Sequence, residues 1–247
     1  MKKILLTVAY DGTEYSGWQI QPNAKTVEGT LRAAIEKLTG TVTETIGGSR
    51  TDAGVHALGN IVTFDTDSPI PPERYSRALN SFLPQDIRVI HSCEKEMDFH
   101  PLRVPHKKRY EYRISVGEVV NPLRVRFVHH VYEPLSVEKM NRAASLFVGE
   151  HDYSSFCSAG AQVESKIRTV TACDVYRENE EIVIAVEGNG FLYNMIRILA
   201  GTLIEIGRGA LAPEQMKDIL EAKNRSAAGP TAPPQGLTLI WNRCEEE

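Results

Sequence analysis

Apolar and polar positions along the chain fall into short stretches of two periods. Ile4 to Tyr10 is an apolar run that predicts a buried strand. Thr26 then stands as an N-cap before Val27, Leu31, Ala34, Ile35 and Leu38, which keep helical spacing, and Gly40 supplies the stop. Strands are predicted over 43–48 and 58–65, followed by a helix opened by Pro71-Pro72 and a strand over 86–93. That second helix is expected to set Tyr75, Ala78, Leu79 and Phe82 on one face. The order is βαββαβ. It recurs as strand 109–116, helix 137–147, strands 168–176 and 182–187, helix 192–206 and a final strand 237–241. One extra short helix, over 213–222, precedes a Gly/Pro loop at 229–236. The halves share no residue-level repeat. The common order predicts an α+β fold of two ferredoxin-like split βαβ units joined near residues 95–108, with a cleft between them. The N-terminal domain is placed at 1–104 and the C-terminal domain at 105–247.

Composition changes this picture in two ways. With 247 residues, 42% hydrophobic and 24% charged, the chain has enough apolar material for one large or two small cores. Its net charge of −4 argues against indiscriminate coating of nucleic acid, yet the charge is uneven. Arg103, Lys107, Lys108, Arg109 and Arg113 cluster with His106 and with Tyr110 and Tyr112, against the single acid Glu111. Local charge governs counterion release, so RNA binding fits such a segment. Cys93, Cys157, Cys173 and Cys244 form no Cys-x-x-Cys pair, which points to neither a disulfide framework nor a zinc site and favours a reducing cytoplasm. The apolar run after Met1-Lys2-Lys3 ends at Tyr10-Asp11 without a cleavage-like site, and no window has the length of a membrane span.

The densest chemistry is Gly47-Gly48-Ser49-Arg50-Thr51-Asp52-Ala53-Gly54-Val55-His56-Ala57. Glycines permit close approach of a ligand to the backbone, and Arg50 stands near enough to Asp52 to favour its ionised form. Asp-Ala-Gly is equally good turn chemistry in its own right. His56 suggests an Asp-His pair or a metal ligand, but no third or fourth ligand stands near it, and His129-His130 and His151-Asp152 also lack completing partners. The glycines at 188–190 and 207–209 lack the strand-to-helix context of a dinucleotide site. No metal and no cofactor are implied.

The eleven-residue string from Gly47 to Ala57 resembles the signature of the tRNA pseudouridine synthase A family. Further blocks follow in that family's order. They are Val8-Ala9-Tyr10-Asp11-Gly12, Tyr15-Ser16-Gly17-Trp18-Gln19, Phe99-His100, Lys108 to Arg113, Phe191 to Arg197, and Ala232 to Leu237. The resemblance implies mixed, mainly antiparallel sheets merged around the central cleft. It also implies conversion of uridine to pseudouridine in the tRNA anticodon stem-loop, at positions 38 to 40, by a cytoplasmic homodimer that needs no cofactor. That reaction breaks the bond from N1 to C1′, turns the freed uracil and rejoins it through C5, so the site must take a base out of its stack.

Asp52 is then the essential carboxylate, acting as nucleophile at the sugar or as the base that removes a sugar proton. Arg197 is placed against it as the second catalytic residue, although a structural salt bridge is the other reading of an arginine in so apolar a segment. Tyr110 is placed on the target base, Leu237 in the pocket lining, and Arg50, Lys107, Lys108 and Arg109 on the RNA. The chain departs from the family pattern at Pro101-Leu102, which displaces Arg103 by one position, and at Asn194, where many members carry His. Two other activities fit the residues: a silent RNA-binding module with strand aromatics, and an Asp-dependent nucleosidase that would release free uracil.

Overall fold

The computed structural model describes residues 1–161 and 163–244. The chain divides into two compact units, Met1–His106 together with the stretch from Leu239 onward, and Lys107–Thr238. Both are α+β with mainly antiparallel strand pairing. Among the described residues no helix is long and apolar enough to cross a membrane.

The first unit holds β1 (Lys2–Tyr10), α1 (Val27–Thr39), β2 (Thr45–Gly47), β3 (His56–Thr66), α2 (Tyr75–Leu79) and β4 (Ile87–Lys95). This is the predicted βαββαβ order. Its strands lie in the order β4-β1-β3, with β2 paired to β3. The final strand β10 (Leu237–Cys244) lies beside β3, and its residues from Leu239 belong to this unit. α1 begins and ends where its sequence says. The Thr26 side chain accepts from Gly29 N, and Gly40 closes the helix at φ 73°, a conformation glycine adopts without strain. Val27, Leu31 and Ile35 are fully buried, as are Ile4, Leu6 and Val8 of β1.

The second helix differs from expectation. Pro72–Arg74 form a 3-10 turn and α2 itself lasts only five residues. Tyr75 and Leu79 are buried, with Tyr75 edge-on to Phe64, but the helix ends before Phe82, which stays 45% exposed. A face read at helical spacing holds only as far as the helix runs.

The second unit holds β5 (His106–Val116), β6 (His129–Val131), α3 (Val137–Leu146), β7 (Gly149–Asp152), β8 (Ile167–Glu178), β9 (Glu181–Gly188), α4 (Met195–Gly207) and α5 (Gln215–Ala222). Its strands run β5-β9-β8-β7, and β6 pairs in parallel with β5. The short strands β6 and β7 carry no apolar alternation, so periodicity does not predict them. Ile182 to Val186 of β9 are all buried, so this strand is covered on both faces. Its core is closed by Met140, Ala143 and Ala144 of α3, by Ile198, Leu199 and Leu203 of α4, and by the cluster Phe147, Tyr153 and Phe156. The β8–β9 hairpin turns at Asn179, whose φ of 54° suits asparagine better than most residues.

α4 starts at Met195, three residues later than predicted. Asn194 takes φ 61° as the residue before it, a left-handed conformation that an ongoing helix excludes.

Candidate active site

The first unit presents the 48–55 turn as a rigid object. Gly48 N donates to Ile61 O at 2.8 Å, and the Thr51 carbonyl accepts from Trp18 N at 3.0 Å. Gly54 N donates to Tyr15 O at 3.3 Å, and the Asp52 carbonyl accepts from Val55 N at 3.1 Å. Two glycines make the approach possible. A side chain on Gly12 would overlap the Val55 carbonyl oxygen, and one on Gly47 would overlap the indole of the buried Trp18. Tyr15 fixes the facing loop through a hydrogen bond from its hydroxyl to Asp86 Oδ1 at 2.7 Å. Burial and that carboxylate push the Tyr15 hydroxyl well above the usual tyrosine range, so it remains a donor.

A shift of register between Val8 and Tyr10, as β1 pairs with β3, bends the ladder next to this turn, which is where bulges commonly re-aim a side chain. Thr51 is buried, Asp52 is half-buried, and Arg50 is exposed. His56 is buried. Its Nδ1 accepts the Gly12 amide at 3.0 Å and stands 3.2 Å from Asp11 Oδ1, holding the 11–13 loop to β3. Among the described residues no group of three or more His, Cys, Asp or Glu is arranged to hold a metal ion.

The second unit carries the other candidates on β5, α4 and the loop before β10. Tyr110 is buried, edge-on to Phe191 with ring centroids 5.4 Å apart. Arg197 uses two nitrogens on its own unit: Nε donates to Ala232 O at 2.8 Å and Nη1 to Asn194 Oδ1 at 2.8 Å. The Arg197 carbonyl in turn accepts from Ala232 N. The loop that Arg197 grips continues to Leu237, which is buried at the start of β10. The Tyr112 hydroxyl donates to Pro233 O at 2.8 Å, and a Cβ on Gly236 would stand 2.8 Å from the Tyr112 ring. Gly236 is thus the residue that lets this loop lie against Tyr112.

Asn194 has a place in this arrangement that the sequence did not disclose. Its side chain bonds both Arg197 and Ser158 Oγ while its backbone starts α4. The only sequence signal was its departure from the family's usual His.

Lys107 is exposed, whereas Lys108 and Arg109 are half-buried. Strand alternation puts Arg109, Glu111 and Arg113 on one face of β5 and Lys108, Tyr110 and Tyr112 on the other. On the first face Arg109 bonds Glu111 at 3.0 Å and Glu187 at 2.8 Å. Arg113 bonds Glu111, Glu178 and Glu181, and Glu181 also receives Arg124 at 2.7 Å. Burial alone would raise the Glu181 carboxyl, but hydrogen bonds from Arg124 and Arg113 outweigh it and hold the group below its ordinary range.

The chain is similar to known proteins over nearly its full length. The family model described as tRNA pseudouridine synthase matches residues 6–101 and 143–243. The tRNA pseudouridine synthase A of Halalkalibacterium halodurans is 46% identical over 96% of this chain and 90% of its own. Proteins of the same name from Acetivibrio thermocellus and Anoxybacillus flavithermus are each 45% identical. They cover 97% and 98% of this chain, and 98% of their own length in both cases. Identity at this level over nearly the whole chain, with a family model that matches most of it, leads to one conclusion: the chain belongs to the tRNA pseudouridine synthase A family.

Proposed function

We propose that the protein converts uridines at positions 38 to 40 of the tRNA anticodon stem-loop to pseudouridine, with Asp52 as the essential carboxylate. Membership of the family makes it a tRNA pseudouridine synthase, an isomerase. The observation that carries the finer reading is the Asp52 turn, held by backbone hydrogen bonds on both sides and closed by glycines that tolerate no side chain. Such a frame suits a group whose reaction depends on its position. A carboxylate is ionised at neutral pH from its reference value near 3.9.

The remaining roles are assigned residue by residue. Arg197 is the second catalytic residue, Tyr110 stacks on the target base, and Leu237 lines the base pocket. Arg50, Lys107 and Lys108 contact the RNA, with a smaller share from Arg109. We read each unit as a ferredoxin-like half and take the working enzyme to be a cytoplasmic homodimer.

The test is incubation of unmodified tRNA transcripts with wild-type enzyme and with Asp52→Asn, followed by pseudouridine mapping. Wild type should modify positions 38 to 40, and Asp52→Asn should bind tRNA but be inactive. Release of free uracil would show a nucleosidase instead. An Asp52→Asn enzyme with a tenth or more of the wild-type rate would remove Asp52 from its role. Light scattering tests the dimer, and a monomer in solution would refute it.

A further inference from the structure

Behind the 48–55 turn lies a buried polar cluster that packing alone does not require. Elsewhere β1 and β3 bury Ile4, Leu6, Val8, Val62 and Phe64. Next to the turn, beside the apolar Trp18, Val55 and Ile61, the buried side chains also include Tyr10, Asn60 and, from β10, Asn242, together with Ser49 and Thr51 of the turn itself. The Tyr10 and Thr51 hydroxyls share a hydrogen bond of 2.7 Å. Asn60 Nδ2 donates to the Ser49 carbonyl at 3.0 Å and lies 3.5 Å from the Tyr10 hydroxyl. Asn242 Nδ2 donates to Ser49 Oγ at 3.3 Å.

Both amides keep an unpaired acceptor. Asn60 Oδ1 and Asn242 Oδ1 have no hydrogen-bond partner among the described residues. A buried acceptor left unsatisfied is destabilising, and apolar side chains of similar size would avoid that loss. What the two amides accomplish is donation, and both donations reach Ser49, three residues before Asp52. The hydroxyl pair fixes Thr51, the immediate neighbour of Asp52.

We propose that Tyr10, Thr51, Asn60 and Asn242 are positioning residues for the isomerisation, fixing Ser49 and Thr51 so that Asp52 is presented at one place; this rests on the reading of Asp52 as the essential carboxylate. All four are buried and act through the backbone of the turn. Displacement of a reacting group by about 1 Å costs on the order of 100-fold in rate, while RNA contacts made elsewhere are untouched. The signature of such a role is a loss confined to the chemical step.

The decisive variants are Thr51→Val, which keeps shape and removes the hydroxyl, Tyr10→Phe, which removes the partner hydroxyl, and Thr51→Ser, which restores it. Single-turnover pseudouridine formation is measured at saturating unmodified tRNA, alongside tRNA affinity and melting temperature. Thr51→Val should slow the chemical step about 10–100-fold with affinity changed less than about 2-fold, and Tyr10→Phe should slow it about 10-fold. Thr51→Ser should recover the rate to within about 3-fold of wild type. Combining Tyr10→Phe with Thr51→Val should add little, because both remove one bond.

Folded Thr51→Val and Tyr10→Phe enzymes at wild-type rate would overturn the proposal. So would a loss that falls on affinity, or a Thr51→Ser enzyme as slow as Thr51→Val. If Thr51→Val fails to fold, Tyr10→Phe decides alone. Asp52→Asn is run in parallel: an active Asp52→Asn defeats the reading beneath the proposal. An inactive one beside fast Thr51→Val and Tyr10→Phe defeats the positioning role only.

Discussion

Lys107, Lys108 and Arg109 form one basic run in the sequence, but the strand that carries them divides the run. β5 keeps an unbroken register against β9 from Lys108 opposite Gly188 to Ser115 opposite Glu181. Successive side chains therefore face opposite ways, with Lys108 beside Tyr110 and Arg109 beside Glu111. The Arg109 guanidinium already makes three hydrogen bonds to two carboxylates, at 2.8, 3.0 and 3.2 Å. A phosphate would have to displace these partners.

Each neutralised phosphate contributes about 0.7–0.9 to the slope of log affinity against log salt. Three equal cations on phosphate would give about 2.1–2.7, whereas two lysines without the arginine give about 1.4–1.8. Lys108→Ala is expected to lower the slope by about 0.7–0.9, and Arg109→Ala by less than about 0.2. Filter binding of unmodified tRNA over a salt series reads both. A slope that falls by about 0.7–0.9 in Arg109→Ala and stays at the wild-type value in Lys108→Ala would refute the reasoning from strand faces.

The arginine should instead show itself in stability. Glu111, only 8% exposed, keeps Arg113 at 2.9 Å after Arg109 is removed, while Glu187 loses its bond at 2.8 Å. Discounted for the partial exposure of the pair, Arg109→Ala should cost about 1 kcal/mol. In a chain of this size that lowers the melting temperature by about 2–4 °C.

Three further outcomes follow from the second unit. Arg197→Lys offers one nitrogen where Nε and Nη1 now reach Ala232 and Asn194 separately, so modification should slow at least about 10-fold with tRNA affinity nearly unchanged. A fully active lysine variant in single-turnover assays would make this fork dispensable. Tyr112→Phe strands the Pro233 carbonyl and should lower stability by about 1–3 kcal/mol in a denaturant titration; a midpoint equal to wild type would count against the bond. Burial, helped by Arg208 and His130, holds the His129 pKa below its ordinary value near 6.5. The unfolded chain then binds the proton more readily, so this contribution is complete above about pH 6.5 and is lost as pH falls from there toward the folded value. Melting temperatures of His129→Gln should decline less than wild type between about pH 6.5 and pH 5, and parallel curves would exclude His129 as the source.

Much of the fold was legible because two devices act locally. Helical spacing with Thr26 and Gly40 at its ends located α1 without reference to anything outside it. Apolar runs located β1 and β9 because strands buried on a face must be apolar there. Where a segment is defined by its neighbour, the pattern is silent. β6 contains two histidines and one valine and exists because it pairs with Ile114 to Val116 of β5. β7, Gly149–Asp152, is polar along its length and exists because it pairs with β8. The start of α4 escapes the pattern for a related reason: Phe191, Leu192 and Ile196 have helical spacing, but the left-handed backbone of Asn194 interrupts it.

The candidate site shows the same limit in its chemistry. Charged and aromatic residues such as Asp52, Tyr110 and Arg197 draw attention in a sequence because their types are rare in apolar surroundings. Threonine and asparagine do not, since both are ordinary surface and turn residues. Yet Thr51, Asn60 and Asn242 are buried around one turn, and Asn194 joins Arg197 to Ser158. Their spacing in sequence carries no period, because Asn242 and Ser49 are 193 residues apart. Net charge misleads in the opposite direction. The segment from Arg103 to Arg113 looks cationic, but the acids that neutralise Arg109 and Arg113 include Glu178, Glu181 and Glu187 of β8 and β9, far away in sequence. A cationic run in the sequence is therefore not one surface in the fold: strand alternation sets Arg109 against Glu111 and Glu187 and turns Lys108 to the opposite face of β5.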